Sequence, residues 1–126
     1  MPTAIDSSSI IGYLEGRERP DTRLVEVALA AGDAVFPPVV VTEVLSQPGL
    51  DARVAELIRS VAILTVTAGY WERAGLLRAT LLSKRRRARL ADTLIAQMCL
   101  DHDVTLVTND ADFASFASIA GLRIAP

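Results

Sequence analysis

The stretch from Leu90 to Phe113, LADTLIAQMCLDHDVTLVTNDADF, constrains the fold more than any other part of the chain. Ala91, Leu94, Ile95, Met98 and Cys99 recur at the spacing of an amphipathic helix with one buried stripe, over about residues 92 to 101. Val104 to Val107 follows as a short, β-branched, almost unbroken apolar run, which predicts a strand buried on both faces of a parallel sheet. Thr108, Asn109, Asp110 and Asp112 come directly after it. A carboxylate at a helix start, Asp92, and another beyond the next parallel strand, Asp110, both fall at the edge where open α/β sheets bind ligands.

The rest of the chain alternates in the same way. Thr3 to Ile5 is a strand, and Asp6-Ser7-Ser8-Ser9 offers several N-caps to a helix carrying Ile10, Ile11 and Leu14. Leu24, Val27, Ala28 and Ala31 mark a second helix that Gly32 stops, and Ala34 to Phe36 reads as a second strand. The three valines after Pro37-Pro38 favour a strand, but Pro38 suits the first position of a helix closing near Gln47-Pro48. On the helical reading Val40, Val41, Val44 and Leu45 face the core, with Glu43 beside that face. Asp51 caps a fourth helix, with Val54, Leu57, Ile58 and Val61 on its apolar side. Ala62 to Val66 is a third buried strand, and Thr67 caps a helix carrying Tyr70, Ala74, Leu77 and Leu81. A short helix around Ala111 to Ala117 and a last strand at Leu122 to Ile124 complete the chain.

This alternation predicts βαβ units with right-handed crossovers around a parallel sheet of four to five strands. At 126 residues and 51% hydrophobic content the chain is long and apolar enough for a sizeable core, and residues 1–126 read as one domain without repeat or linker. No apolar run approaches the roughly 20 residues a membrane span needs, so no membrane association is expected. The single Cys99 has no partner for a disulfide or zinc site, which suits a reducing cytoplasm.

Net charge is −2, so overall balance gives no nucleic-acid signal, but its distribution does. Lys84, Arg85, Arg86, Arg87 and Arg89 hold five of the thirteen basic residues. They can hold an RNA backbone through phosphates, or form a solvated loop. His102, alone near a helix end, reads as structural. Tyr70 and Trp71 suit base stacking, or core and interface packing. No glycine-rich phosphate loop supports ATP or dinucleotide use.

Asp6, Glu43, Asp92 and Asp110 are separated by 37, 49 and 18 positions, so only the fold can join them. Asp6 and Asp110 each follow a strand, Asp92 opens a helix and Glu43 lies near the start of one. Carboxylates crowded at one edge repel unless a cation neutralises them, and hard oxygen ligands select Mg²⁺ or Mn²⁺ over zinc. Such a site can activate water and stabilise a phosphodiester transition state. Each of Asp6, Asp92 and Asp110 also suits a helix N-cap, worth about 0.5–2 kcal/mol. Glu43 also has the ordinary reading of an exposed helix glutamate.

With these residues in place, the chain resembles a PIN domain, in particular the compact VapC-like toxins of toxin–antitoxin pairs. The resemblance rests on AIDSSSIIGYL, the central VTEVL, the run ADTLIAQMCLDHDVTLVTND, and DF followed by a closing GLRI. It implies a three-layer α/β/α, Rossmann-like fold and a metal-dependent ribonuclease. Asp6, Glu43 and Asp92 match the family's first three acids and Asp110 the fourth position, with Ser8 and Thr108 at flanking polar positions. Many such toxins have asparagine two residues after the threonine and an acid further on before phenylalanine, so Asp112 competes with Asp110 as the outer ligand. The spacing into Asp-Phe is also one residue shorter here.

The resemblance further implies Mg²⁺ or Mn²⁺ as cofactor, RNA as substrate, a homodimer, and a cognate antitoxin that inserts a segment near the acids. The alternative is a non-catalytic PIN-like module for RNA binding or assembly. A receiver-like signalling domain fits less well, because no acidic pair follows the first strand.

Overall fold

The computed structural model describes residues 1–126. Four parallel strands, β1 (Thr3–Ile5), β2 (Ala34–Phe36), β3 (Ala62–Ile63) and β4 (Thr105–Val107), stand in the order β3-β2-β1-β4. Around them lie α1 (Ser7–Leu14), α2 (Pro20–Ala31), α3 (Pro38–Leu45), α4 (Ala52–Ser60), α5 (Tyr70–Ser83), α6 (Leu90–His102) and α7 (Ala114–Ala120). Successive strand residues point to opposite faces. Ala4 and Ile5 are both fully buried, as are Leu106 and Val107 within a percent, so helices cover both faces of the sheet. This is the expected three-layer α/β/α arrangement. Each large buried side chain in it, such as Ile5, Ile95 or Leu106, contributes about 1.5–3 kcal/mol of apolar burial.

Chain direction across the sheet explains where a ligand can enter. From β1 the chain steps outward through β2 to β3, then crosses back to place β4 on the other side of β1. The reversal lies between β1 and β4, and the crevice beyond their carboxyl ends is the switch point of the fold.

The expected fifth strand is only a bridge, Leu106 to Ile124. The Leu106 amide donates to the Arg123 carbonyl and the Ala125 amide to the Leu106 carbonyl, both at 2.9 Å. The outer edge of β4 is therefore paired without a regular strand.

Several expectations need correction. The third strand is two residues long and exposed, with Ile63 50% accessible, because β3 is the sheet's edge and apolar content cannot distinguish edge from centre. The Pro38 helix forms as expected, yet Leu45 in its last turn is 41% exposed, and Val40 and Val44 carry the burial. On α2 the buried face runs through Thr22, Val25 and Ala28, while Val27 points outward. α5 starts at Tyr70 behind a left-handed Gly69 rather than a Thr67 cap, since the Thr67 hydroxyl is engaged by Asp101.

The central helix α6 also differs from its expected single stripe. Thr93, Ile95, Ala96, Gln97, Met98 and Cys99 are all buried, because α3 and α5 both pack against it. Two of its buried polar residues are paired: Thr93 donates to the Arg89 carbonyl at 2.8 Å, and Gln97 to Asp101 at 2.8 Å. Arg73 grips Asp101 through Nε and a terminal nitrogen at 3.0 and 2.7 Å, and the Tyr70 hydroxyl donates to the Leu94 carbonyl. His102 pairs with the Thr65 carbonyl. These bonds fix α6, and Asp92 in its first turn with it. No helix is long and apolar enough to cross a membrane.

Candidate metal centre at the sheet switch point

Asp6 leaves the end of β1, and its amide donates to the Val107 carbonyl at 2.9 Å, so the chain passes directly over the β1–β4 junction. It occupies the N-cap position of α1, yet its side chain caps nothing. Its Oδ2 instead accepts from the Ser8 hydroxyl at 2.8 Å and the Thr108 hydroxyl at 2.7 Å. Ser8 also accepts from the Asn109 amide at 3.2 Å, and Thr108 from the Asp110 amide at 3.0 Å. Ser8 and Thr108 thus tie the ends of β1 and β4 to each other through one buried carboxylate.

The other acids approach from three further elements. Glu43 projects from α3 and accepts from Ser7, one residue after Asp6. Asp92 stands in the first turn of α6 and makes no cap bond. Asp110 accepts from the Asp112 amide at 2.9 Å, opening the 3-10 turn Ala111–Phe113. One oxygen each of Asp92, Asp110 and Asp112 lie within 4.8 Å of one another. Both contenders for the fourth acid therefore face Asp92. Asp6 and Glu43 are not in that triad, although both carboxylates are near enough to act on Asp92 electrostatically.

Burial, then the charges of Asp110 and Asp6, raise the Asp92 pKa to about 6; Arg89 opposes this and Glu43 adds to it. Burial likewise raises Asp6, against the pull of its bonds to Thr108 and Ser8. Asp92 Oδ2 is buried and has no hydrogen-bond partner. A buried acceptor left unpaired costs about 1–3 kcal/mol. Ser8, Thr108 and Ser7 serve the neighbouring acids and leave this one free. An all-oxygen set of three to five acids, one with an orphaned oxygen, fits a hard divalent cation and lacks the nitrogen or sulfur donors that zinc prefers.

The basic segment lies at the rim of these acids. α5 closes with Arg85 in the left-handed region, φ 58°, while the Arg85 and Arg86 amides donate to the Leu82 and Leu81 carbonyls at 3.0 Å. This is the Schellman closure usually built on glycine. Ala88 is buried and its carbonyl accepts from Arg78 Nε at 2.8 Å. Arg89 then takes the N-cap position of α6, three residues before Asp92. Lys84, Arg85, Arg86, Arg87 and Arg89 are all exposed, and Arg87 reaches Asp112 at 3.4 Å. Tyr70 is buried, whereas Trp71 is exposed and meets Tyr70 edge-on at 4.9 Å.

A supporting group behind the acids has no sequence signature. Asp21, buried near the start of α2, accepts from Ser9 at 2.8 Å and from Arg19 through two nitrogens at 3.0 and 3.1 Å. Arg19 also donates to the Ser8 carbonyl at 3.2 Å, and so steadies the turn that carries Asp6. Ser7 as partner of Glu43 is similarly hidden in a serine run that reads only as capping.

The family described as PIN domain matches over residues 3–119. Among solved structures the chain is similar to one in VapBC2 from Rickettsia felis bound to a DNA fragment from their promoter, with TM-score 0.69 and 21% identity over 99% of this chain and 98% of that one. It is similar to a chain of VapBC-1 from nontypeable Haemophilus influenzae, with TM-score 0.72 and 20% identity over 99% and 97%. FitAcB from Neisseria gonorrhoeae gives TM-score 0.66 and 16% identity over 98% and 96%. At these identities the likeness is one of fold. No curated protein matches the sequence.

Proposed function

This chain belongs to the PIN domain family, and on that premise we propose that it is a Mg²⁺- or Mn²⁺-dependent endoribonuclease, the toxin of a toxin–antitoxin pair acting in the cytoplasm. The observation that carries the reading is the orphaned Asp92 Oδ2 beside Asp110 and Asp112 at the switch point of the sheet. Asp92, Asp110 and Asp112 would hold the cation directly, and Asp6 and Glu43 would hold it directly or through water. When bound, the cation supplies charge stabilisation at the scissile phosphate and makes an attacking water more acidic.

The chain's own residues prepare that chemistry. Ser8 and Thr108 both donate to one Asp6 oxygen and leave the other without a side-chain donor. Ser7 orients Glu43. Asp92 carries a proton up to about pH 6, so the site is receptive to a cation above that pH. Lys84, Arg85, Arg86, Arg87 and Arg89 would bind the RNA backbone, a contribution that is salt-sensitive and independent of sequence.

An antitoxin partner is supported by the fold likeness to VapBC chains, and an arginine on its inserted segment would neutralise these acids. A second copy of the chain is the other proposed partner, with Trp71 and Leu82 exposed on α5 as apolar contacts.

The second reading is a non-catalytic RNA-binding or assembly module. It draws on the Asp110 cap of the Asp112 amide, which gives one acid a purely structural use. Incubating purified protein with a mixed RNA pool and Mn²⁺, Mg²⁺ or EDTA, beside Asp92→Asn, separates the two. The nuclease reading expects cation-dependent cutting that the variant loses. Absence of both cutting and calorimetric Mn²⁺ binding would favour the module.

A further inference from the structure

Of the basic residues between 84 and 89, only Arg87 reaches an acid of the cluster, a single contact of 3.4 Å to Asp112 Oδ2. The backbone beneath it is fixed. Left-handed Arg85 closes α5 on one side, and on the other Ala88 is buried with its carbonyl held by Arg78. The Arg87 side chain is 65% exposed, and the contact uses one N–H of the five that arginine offers. Such a pair is weak and easily exchanged, because solvent screens it and the side chain gains little by staying ordered.

Asp112 is also one of the three acids whose oxygens converge within 4.8 Å. A guanidinium and a divalent cation therefore compete for the same carboxylate. A cation that draws on Asp112 Oδ2, the oxygen Arg87 uses, would leave Arg87 without its acceptor while its backbone stays anchored beside the site. The acceptor that replaces Asp112 most readily is another oxyanion, and the planar guanidinium fork matches phosphate.

Resting on the nuclease reading, we propose that Arg87 is a built-in counter-ion of Asp112, displaced when the cation binds and transferred to a phosphate of the RNA lying across the acids. Arg87 would thereby couple the two ligands: cation binding creates a phosphate contact that the cation-free site withholds, and by linkage RNA favours the cation.

The test uses the full chain and two titrations. Mn²⁺ affinity is measured by calorimetry for wild type, Arg87→Gln, Arg87→Lys and Arg86→Gln, the last controlling for loss of charge alone. Affinity for a labelled, cleavage-resistant phosphorothioate RNA of mixed sequence is measured by anisotropy with and without Mn²⁺. Arg87→Gln should bind Mn²⁺ about two- to five-fold tighter, the range that a weak surface pair allows. It should also lose the gain in RNA affinity that Mn²⁺ gives wild type. Arg87→Lys should retain part of both effects.

A merely structural role for Arg87 would weaken both ligands together. Unchanged or weaker Mn²⁺ binding in Arg87→Gln overturns the proposal, as does an equal gain in Arg86→Gln or a retained Mn²⁺ effect on RNA. If wild type binds no Mn²⁺, the nuclease reading falls first and this proposal with it, so the two failures are distinguishable.

Discussion

The Thr108 hydroxyl donates to Asp6 Oδ2 at 2.7 Å, joining two residues 102 positions apart across the carboxyl ends of β1 and β4. Burial raises the Asp6 pKa, and this bond is the largest influence pulling it back. Thr108→Val removes the donor at nearly constant volume, leaving Asp6 protonated to higher pH and less firmly oriented. Loss of such a supporting partner typically costs about 10–100-fold in metal affinity. Mn²⁺ calorimetry should show that loss, larger at pH 6 than at pH 8, with Thr108→Ser restoring most of it. Equal loss at both pH values would argue against a protonation effect.

The raised pKa of Asp92 has a cost in stability. The folded chain keeps this proton up to about pH 6, whereas the ordinary value is 3.8, so between those values the folded state binds more protons than the unfolded one. Without cation, stability contributed by this group is present at low pH and is lost as pH rises through about 6. Asp92→Asn removes the titration and the buried charge together. The cation-free variant should have a higher Tm than wild type at pH 7.5, with the difference shrinking towards pH 4.5. A variant less stable than wild type at pH 7.5 would refute this.

Much of the site was legible because it depends on order along the chain. An acid that closely follows a buried strand emerges at its carboxyl end, which brings Asp6 and Asp110 to the same edge of the sheet. Asp92 followed from the helix that precedes β4. What remained hidden depends on lateral packing. The run Ala62 to Val66 is as apolar as a central strand, and only strand order makes β3 an edge. The burial of Thr93 and Gln97 on α6 reflects neighbours on several sides, which a single helical stripe does not encode. Ser7 with Glu43, and Arg19 with the Ser8 carbonyl, are side-chain choices within segments that read simply as a cap and a charged turn.

Cation binding should release protons in a pH-dependent way. The group on Asp92 is about half protonated at pH 6, and a cation that uses its carboxylate must displace that proton. Calorimetry of Mn²⁺ binding in buffers of different ionisation enthalpy should report release of about half a proton or more at pH 6. Release should fall towards zero at pH 8. Burial raises Asp6 in the same direction, so any proton it keeps adds to the release. No buffer dependence at pH 6 would mean that the cation does not use Asp92.

Gly12 tests how the scaffold behind the acids is held. A Cβ at this position would stand 2.0 Å from an Arg19 terminal nitrogen and 2.9 Å from its guanidinium carbon, so the glycine gives Arg19 its place over α1. Alanine inside a helix normally gains about 1 kcal/mol over glycine. Here Arg19 would have to move, loosening its grip on the buried Asp21 and on the Ser8 carbonyl. A buried carboxylate that loses its partner costs more than the helix gains, so Gly12→Ala should lose about 1–2 kcal/mol in urea unfolding. The cause can be isolated by a double-mutant cycle. With Arg19→Ala already present only the Thr22 methyl, 3.3 Å from the added Cβ, stays close, and Gly12→Ala should then lose much less than in wild type. If Gly12→Ala stabilises the wild-type background instead, Arg19 adapts without loss and the turn carrying Asp6 does not depend on it.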